Sequence, residues 1–333
     1  MIKKKIFITG GAGYVGSRLV ESLLKNSYEV TVFDIMWFGS EHLPKNPDLE
    51  IIKGDIRDTI YLKKCSKNHD IFLHLACVSN DTSYQLNEKL SKEINFDCFE
   101  PMVIAAKENK ISRFIYASTS SVYGVSKEKN VKENHPLIPL TDYNKYKGMC
   151  EPILLKNTNS DFEGVIFRPA TVCGYSSRQR FDLSVNILTN HAMINNIIRV
   201  FGGEQLRPNL NIKDYIRAVN LLVEAPSELI KNQIFNVGYQ NLSISDLAEM
   251  VKKVLEKKYE NKKITIKYEN SDDKRSYHIN SDKISEILGF KPMHTIEEAI
   301  IEIADAIESK KYKDTFNNDL YHNVKRLLNI NVK

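Results

Sequence analysis

The chain has 333 residues, 47 Lys and Arg against 42 Asp and Glu, and a formal charge of +5. Its 42% hydrophobic and 27% charged content fit a globular chain and exclude a disordered one, and a length near 300 lets a protein bury about 75% of its unfolded surface in one large or two smaller domains. A thin positive surplus gives no nucleic-acid footprint, and no apolar run approaches the ~18 residues of a membrane span.

The first ~170 residues alternate short apolar runs with helical patterns, which predicts an α/β domain of parallel strands joined by helices. Lys5–Thr9 reads as a first strand, and Tyr14–Leu24 as a helix with its apolar face on Val15, Leu19, Val20, Leu23 and Leu24. Glu29–Phe33 is a second strand ending at Asp34, Glu50–Lys53 a third, Asp70–Leu75 a fourth and Arg113–Ala117 a fifth, with a long helix across Leu86–Glu108. Asp142–Leu155 is a further helix and Gly164–Phe167 a sixth strand. Beyond Arg168-Pro169 the pattern loosens into loops at Gly174–Phe181 and Gly202–Asn211, with helices near Lys213–Val223, Ser245–Glu256, Ser281–Leu288 and Thr295–Glu308. This divides the chain into a domain over residues 1–170, a substrate-binding region over 171–310 and a tail over 311–333, where Tyr321, Val324, Leu327 and Leu328 fit a short amphipathic helix. The lysines of Lys252–Lys263 alternate with Glu and apolar residues and read as a solvated helix face.

Met1–Lys5 is basic like a signal-peptide start, but Ile6-Phe7-Ile8 runs straight into Thr9-Gly10-Gly11, too short an apolar stretch for one. Cys65, Cys77, Cys98, Cys150 and Cys173 are odd in number and have no metal-ligand spacing. A cytoplasmic protein without structural metal is expected.

The segment Gly10-Gly11-Ala12-Gly13-Tyr14-Val15-Gly16 joins the first strand to the first helix. Gly10 and Gly13 allow a tight turn that approaches a diphosphate, and Gly16 lets the helix pack close to the sheet. Tyr14 and Val15 open the helix, whose free N–H groups suit phosphate. Asp34, 18 positions after Gly16, is placed to accept both ribose hydroxyls of NAD and to repel a 2′-phosphate. In Gly54-Asp55-Ile56, Asp55 is a candidate acceptor for the adenine amino group and Ile56 for packing on the ring.

The fifth strand runs into Ser118-Thr119-Ser120-Ser121, at the carboxyl end of the sheet where such folds bind ligands. Tyr143 and Lys147 stand at i and i+4, on one helix face. A free tyrosine titrates near pH 10, and a neighbouring ammonium favours its phenolate; a fall of ~3 units takes about 4 kcal/mol, feasible in a partly buried site.

With these motifs together, GGAGYVG (10–16), Asp34, GDIRD (54–58), HLA (74–76), STSSVYG (118–124), YNKYK (143–147), Arg168-Pro169 and FNVG (235–238), the sequence resembles the extended short-chain dehydrogenase/reductase family, the NAD-dependent epimerase/dehydratase group acting on nucleotide sugars. The resemblance covers about residues 1–310. It implies a Rossmann-type doubly wound parallel sheet with a smaller mixed α/β C-terminal substrate domain. It implies Tyr143 as general base, Lys147 holding the nicotinamide ribose, Thr119 bonding the reacting hydroxyl, Leu75 and Ala76 beside the cofactor, and Arg207 and Arg275 on the substrate phosphates. Relatives commonly dimerise through the long helix and the Tyr/Lys helix; Leu90, Ile94, Met102, Ile104, Ile153 and Leu154 fit that homodimer and fit packing on the chain's own sheet equally.

Within the family, sugar 4,6-dehydratases carry Asp-Glu after the Thr, because eliminating water needs an acid and a base of its own. Decarboxylases carry Glu, and 3,5-epimerases Cys, where this chain has Ser121; here Ser120 and Ser121 stand in those places. What remains is oxidation of one hydroxyl, C4 by resemblance, of a nucleoside-diphosphate sugar, as a 4-epimerase, a 4-dehydrogenase, or a 4-ketoreductase in reverse, in a setting of bacterial surface-polysaccharide synthesis. An idle dinucleotide-binding sensor is the reading from another class, and the presence of Thr119, Tyr143 and Lys147 argues against it. Thr171 stands where many relatives have an Asn that contacts the sugar or diphosphate, and Asn80, Asp81 and the Arg-rich stretch holding Arg178 are further substrate candidates. His74 reads as structural and His191 has no evident partner, so neither is placed in the site.

Overall fold

The computed structural model describes residues 3–126, 128, 130–270, 276 and 278–332; Arg275 lies outside them. Strands β1 (Lys5–Thr9), β2 (Glu29–Asp34), β3 (Leu49–Lys53), β4 (Ile71–His74), β5 (Arg113–Ala117) and β6 (Glu163–Pro169) match the predicted strands to within two residues at each end. They belong to a seven-stranded sheet in the order 3-2-1-4-5-6, closed by an edge strand, Gln233–Val237, parallel to β6. The chain runs outward from β1 to β3 and then returns to β4 on β1's other side. The crevice above β1 and β4 is therefore the topological switch point where such sheets bind ligands.

Alternation along buried strands divides the core into two layers. Ile6, Ile8, Val32, Leu73 and Val165 face the helices Tyr14–Lys25 and Ile212–Glu224. Phe7, Phe33, Phe72, Phe114 and Tyr116 face the helices Phe99–Glu108 and Asp142–Asn157.

The predicted long helix over 86–108 is interrupted. Glu88–Lys92 is followed by a π-turn over Glu93–Asp97, in which the Cys98 N–H reaches back to the Glu93 carbonyl, before Phe99–Glu108 resumes. Pro101 has no N–H to continue the ladder. The buried Asn95 side chain instead bonds both the N–H and the carbonyl of Val78, at 2.8 and 3.0 Å. Of the candidate dimer residues, Leu90, Ile94, Met102 and Leu154 are buried in the chain's own core and Ile153 packs partly against it, while Ile104 is exposed.

After β6 the structure holds more strand than the sequence predicts. Thr171–Cys173, Leu206–Asn211 and Gln240–Ser243 form a three-stranded sheet, and Ile197–Phe201 pairs with Thr265–Glu269. Leu206–Asn211, expected as loop, is held in extended form because it has a neighbour on each side. The helices Ser184–Asn195, Ile244–Lys258 and Ile296–Glu308 pack together on these strands. No described helix is long and apolar enough to cross a membrane.

Candidate active site

Gly10 takes φ +78°, and a Cβ there would lie 2.5 Å from the Ala76 backbone nitrogen; one on Gly16 would meet the Gly10 carbonyl at 2.5 Å. The turn is thus folded as tightly as glycine permits. The helix it opens has no acidic residue in its first turn, so no side chain of its own offsets its positive end. Gly10, Gly13, Tyr14, Val15, Asp34, Asp55, Ile56, Leu75 and Ala76 all line one cavity at the switch point. Asp34 accepts hydrogen bonds from the N–H groups of Ala12 and Met36 at 3.1 and 2.9 Å, which aim its carboxylate at the glycine turn. Burial raises its pKa and those two bonds oppose the rise. Asp55 is held by Arg57, its nearest contact at 2.6 Å, and Arg57 is held in turn by Glu93. The cavity brings together a tight glycine turn, a buried carboxylate and apolar walls, the features that the sequence predicts for a dinucleotide site.

Tyr14 does more than line this cavity. Its buried hydroxyl donates to the Gly174 carbonyl at 2.8 Å and accepts from Asn186, so the glycine turn is tied to the second half of the chain.

A second cavity of about 530 Å³ adjoins the first, sharing Tyr14, Val15, Ser79 and Arg180 with it. It brings together Asn80, Asp81, Thr119, Ser120, Ser121, Tyr143, Thr171 and Arg207. Tyr143 lies in the first turn of the helix Asp142–Asn157, capped by Thr141, whose hydroxyl donates to Asp81. Asp81 therefore anchors the turn that carries Tyr143. One turn on, Lys147 is 3% exposed, donates to the Ala117 carbonyl and stands 4.5 Å over the Tyr116 ring. Thr119 caps the short turn Ser120–Tyr123; its hydroxyl pairs with that of Ser121 at 2.8 Å, and Ser121 bonds Asn144. Ser120 is 1% exposed.

Beneath these residues lies a buried ionic network. Arg168 contacts Glu151 through Nε and Nη2 at 3.0 and 2.6 Å, and Ser118, next to Thr119, donates to Glu151 at 2.6 Å. Arg168 also donates to the Tyr123 hydroxyl, which donates to Asn236 on the edge strand. His74 bonds Thr9 at 2.7 Å and stacks on Tyr116; burial, then the Lys147 charge, holds its pKa well below 6.5. It is structural, as the sequence indicates.

Two sequence-based placements need correction. Arg178 lines the dinucleotide cavity and not the sugar-sized one, because the loop after Cys173 folds back over the first helix, with the Ser176 hydroxyl donating to the Tyr14 carbonyl at 2.8 Å. His191, left out of the site, lines the second cavity; Ser184, Ile187, Leu188 and His191 face it together, a helical i, i+3, i+4, i+7 spacing that the sequence contained. Arg180 and Arg199 also reach this cavity. Arg180 is paired with Asp182 at 2.8 Å and bonds Ser79 at 3.1 Å. Burial pushes the Asp182 carboxyl up, but the Arg180 charge and hydrogen bonds outweigh it and hold it below its ordinary value. Among the described residues, no group of three or more His, Cys, Asp or Glu side chains could hold a metal ion.

Residues 6–238 match the NAD dependent epimerase/dehydratase family. A putative UDP-glucose 4-epimerase of Methanocaldococcus jannaschii is 29% identical, over 90% of this chain and 97% of its own. The UDP-glucuronic acid 4-epimerase of Bacillus cereus, solved with UDP-glucuronic acid and NAD, is 28% identical with a TM-score of 0.80, covering 92% of this chain and 99% of its own. The UDP-N-acetylglucosamine 4-epimerase of Methanobrevibacter ruminantium, solved with UDP-N-acetylmuramic acid, is 27% identical with a TM-score of 0.81, covering 93% and 100%. The glycine turn, its acidic partner and the adjoining Thr/Tyr/Lys cluster are the features expected of that match: the chain belongs to the NAD dependent epimerase/dehydratase family, and its cofactor is NAD.

Proposed function

We propose that this chain is a nucleotide-sugar 4-epimerase, oxidising the C4 hydroxyl of a nucleoside-diphosphate sugar and returning the hydride to the opposite face. The observation that carries the reading is the cavity that unites Thr119 and Tyr143 with Ser120 and Ser121. In this reading Tyr143 takes the proton of the reacting hydroxyl, and Thr119 hydrogen-bonds the same oxygen. Lys147, one helical turn away, favours the Tyr143 phenolate through its charge and holds the nicotinamide ribose. Bound NAD supplies the hydride acceptor. Asp34 takes the ribose hydroxyls, Asp55 and Ile56 the adenine, and Leu75 and Ala76 pack against the cofactor.

Ser120 is buried and Ser121 is engaged with Thr119 and Asn144, so neither offers the acid or base that water elimination demands. Arg180, Arg199 and Arg207 suit a substrate diphosphate, and Asn80, Asp81 and Thr171 the sugar hydroxyls. The names of the three relatives, all 4-epimerases, support C4 and hydride return. We further assign the protein to the cytoplasm, as a homodimer supplying sugars for surface polysaccharide; sedimentation tests the dimer.

The test is incubation with UDP-glucose, UDP-glucuronic acid and UDP-N-acetylglucosamine without added NAD, followed by NMR of the C4 proton, with denaturation of the protein to count bound NAD. Interconversion of C4 epimers at constant NAD content is the expected result. Stoichiometric accumulation of NADH and a keto-sugar would instead establish net dehydrogenation, and formation of a 4-keto-6-deoxy sugar or loss of CO2 would overturn the reading.

A further inference from the structure

Arg178 carries a charge that the described residues do not neutralise. It is 5% exposed, and its guanidinium lies 3.7 Å from the centre of the Phe38 ring. Its one polar contact among the described residues is from Nη2 to the Asn323 side-chain oxygen, at 2.7 Å, and its buried Nε has no hydrogen-bond partner. The two nearby carboxylates are committed elsewhere. Asp182 is paired with Arg180 and accepts from the Asn323 N–H, and Asp34 accepts from Ala12 and Met36. Burial, reinforced by the Arg180 charge, lowers the Arg178 pKa to about 9. A buried cation without a carboxylate of its own is costly, and pairing with a bound anion relieves that cost.

The location identifies the anion. Arg178 lines the same cavity as Gly10, Gly13 and Asp34, at the N-terminus of a twelve-residue helix that has no acidic residue in its first turn. Its loop is fastened to that helix: the Ser176 hydroxyl donates to the Tyr14 carbonyl and meets the Ser17 hydroxyl, and the Gln179 side chain accepts from the Ser176 N–H. From the other side it is held by the C-terminal segment. Asn323 also donates to Ser79 at 2.9 Å, Arg326 donates to the Trp37 carbonyl at 2.6 Å, and Leu327 is buried in the core layer that holds Val78 and Leu90.

We infer that Arg178, oriented by Asn323 of the C-terminal segment, is a ligand for the diphosphate of the dinucleotide, facing the helix N-terminus across the bound anion. The segment beyond residue 310 thereby acquires a role as the support that holds this arginine in the cofactor cavity. The assignment requires only that NAD binds, and holds for any of the reactions considered above.

Trp37, the single tryptophan, lines the cavity and reports binding by fluorescence. Titrations with NAD, ADP-ribose and NADP are made on wild type, Arg178→Met and Asn323→Asp after removal of copurified dinucleotide. Loss of one charge-assisted contact predicts NAD and ADP-ribose binding weakened about 10- to 100-fold in Arg178→Met, with the NAD:NADP preference unchanged and the salt dependence flattened. Asn323→Asp supplies Arg178 with an internal carboxylate. The cofactor-free protein should then melt no lower than wild type and yet bind NAD several-fold more weakly, a combination that a purely structural arginine does not produce. NAD affinity within twofold of wild type in a folded Arg178→Met protein overturns the inference, as does a loss confined to NADP, which would place Arg178 on a 2′-phosphate. If Arg178→Met does not fold, unchanged NAD affinity in Asn323→Asp overturns it.

Discussion

Replacing Arg168 by methionine should destabilise the protein out of proportion to the volume changed. Arg168 and Glu151 side chains are each 3% exposed, and the pair shares two hydrogen bonds at 2.6 and 3.0 Å. Without the guanidinium, Glu151 keeps the Ser118 hydroxyl as a partner but loses both charge-assisted bonds, and Tyr123 and the Glu133 carbonyl each lose a donor. Removing one member of a buried pair costs about 3–5 kcal/mol, chiefly because the other charge stays buried and unpaired. At about 2.1 cal/mol/K per residue, 333 residues give an unfolding entropy near 0.7 kcal/mol/K, so the melting temperature should fall by about 4–7 °C. The exposed pair Lys63–Glu108 is the control, and Lys63→Ala should cost less than about 1 kcal/mol. The double variant Arg168→Met/Glu151→Leu removes both charges and should recover at least 1 kcal/mol of the single variant's loss. Urea unfolding of wild type and the three variants, with turnover measured alongside because Ser118 adjoins Thr119, reads out these numbers. The reasoning is refuted if Arg168→Met costs no more than the control, or if the double variant is no more stable than Arg168→Met.

Tyr143→Phe should lower turnover by at least about 10²- to 10⁴-fold while NAD binding stays within a few-fold, as seen by kinetics and by dinucleotide released on denaturation. An idle binding protein would instead keep its whole function in that variant. Gly10→Ala forces a Cβ to within 2.5 Å of the Ala76 nitrogen at φ +78°, and should cost about 1–3 kcal/mol of stability and weaken NAD binding in titration. His74 is held neutral by burial and by Lys147, so below pH 6.5 the unfolded chain takes up a proton that the folded one refuses. Stability should therefore fall as the pH drops through that range, by up to about 1.4 kcal/mol per unit from this residue, and His74→Gln should flatten the slope between pH 6.5 and 5 in urea titrations. His42, His69 and His191, also shifted down by burial, contribute with the same sign.

The features legible in the sequence are those that a few neighbouring residues determine. A strand–glycine turn–helix needs only local geometry, and so does a tyrosine one helical turn from a lysine; both occur where the sequence places them. What escaped depends on contacts distant in the chain. The π-turn at Glu93–Asp97 is stabilised by Asn95 reaching Val78, and no periodicity reports that bond. Leu206–Asn211 contains a proline and two asparagines and has no strand pattern, yet two neighbours impose one. Arg178 and Arg180 are two positions apart and equally arginine-like in sequence, but the fold back of their loop over the first helix sends one into the dinucleotide cavity alone and the other to the boundary of both. The role of Asn323 depends on a contact spanning 145 residues.

The edge strand Gln233–Val237 bears on any attempt to divide the molecule. A cut near residue 170 leaves β6 without its outer neighbour and exposes a row of unpaired N–H and carbonyl groups along a strand whose central side chains, Val165, Ile166 and Phe167, are apolar. Such a fragment also loses Asn236, which bonds Tyr123 and the carbonyls of Val131 and Asn280. An isolated amino-terminal half is therefore a template for intermolecular strand pairing, and a soluble dissected version must carry the Gln233–Val237 segment grafted back beside β6.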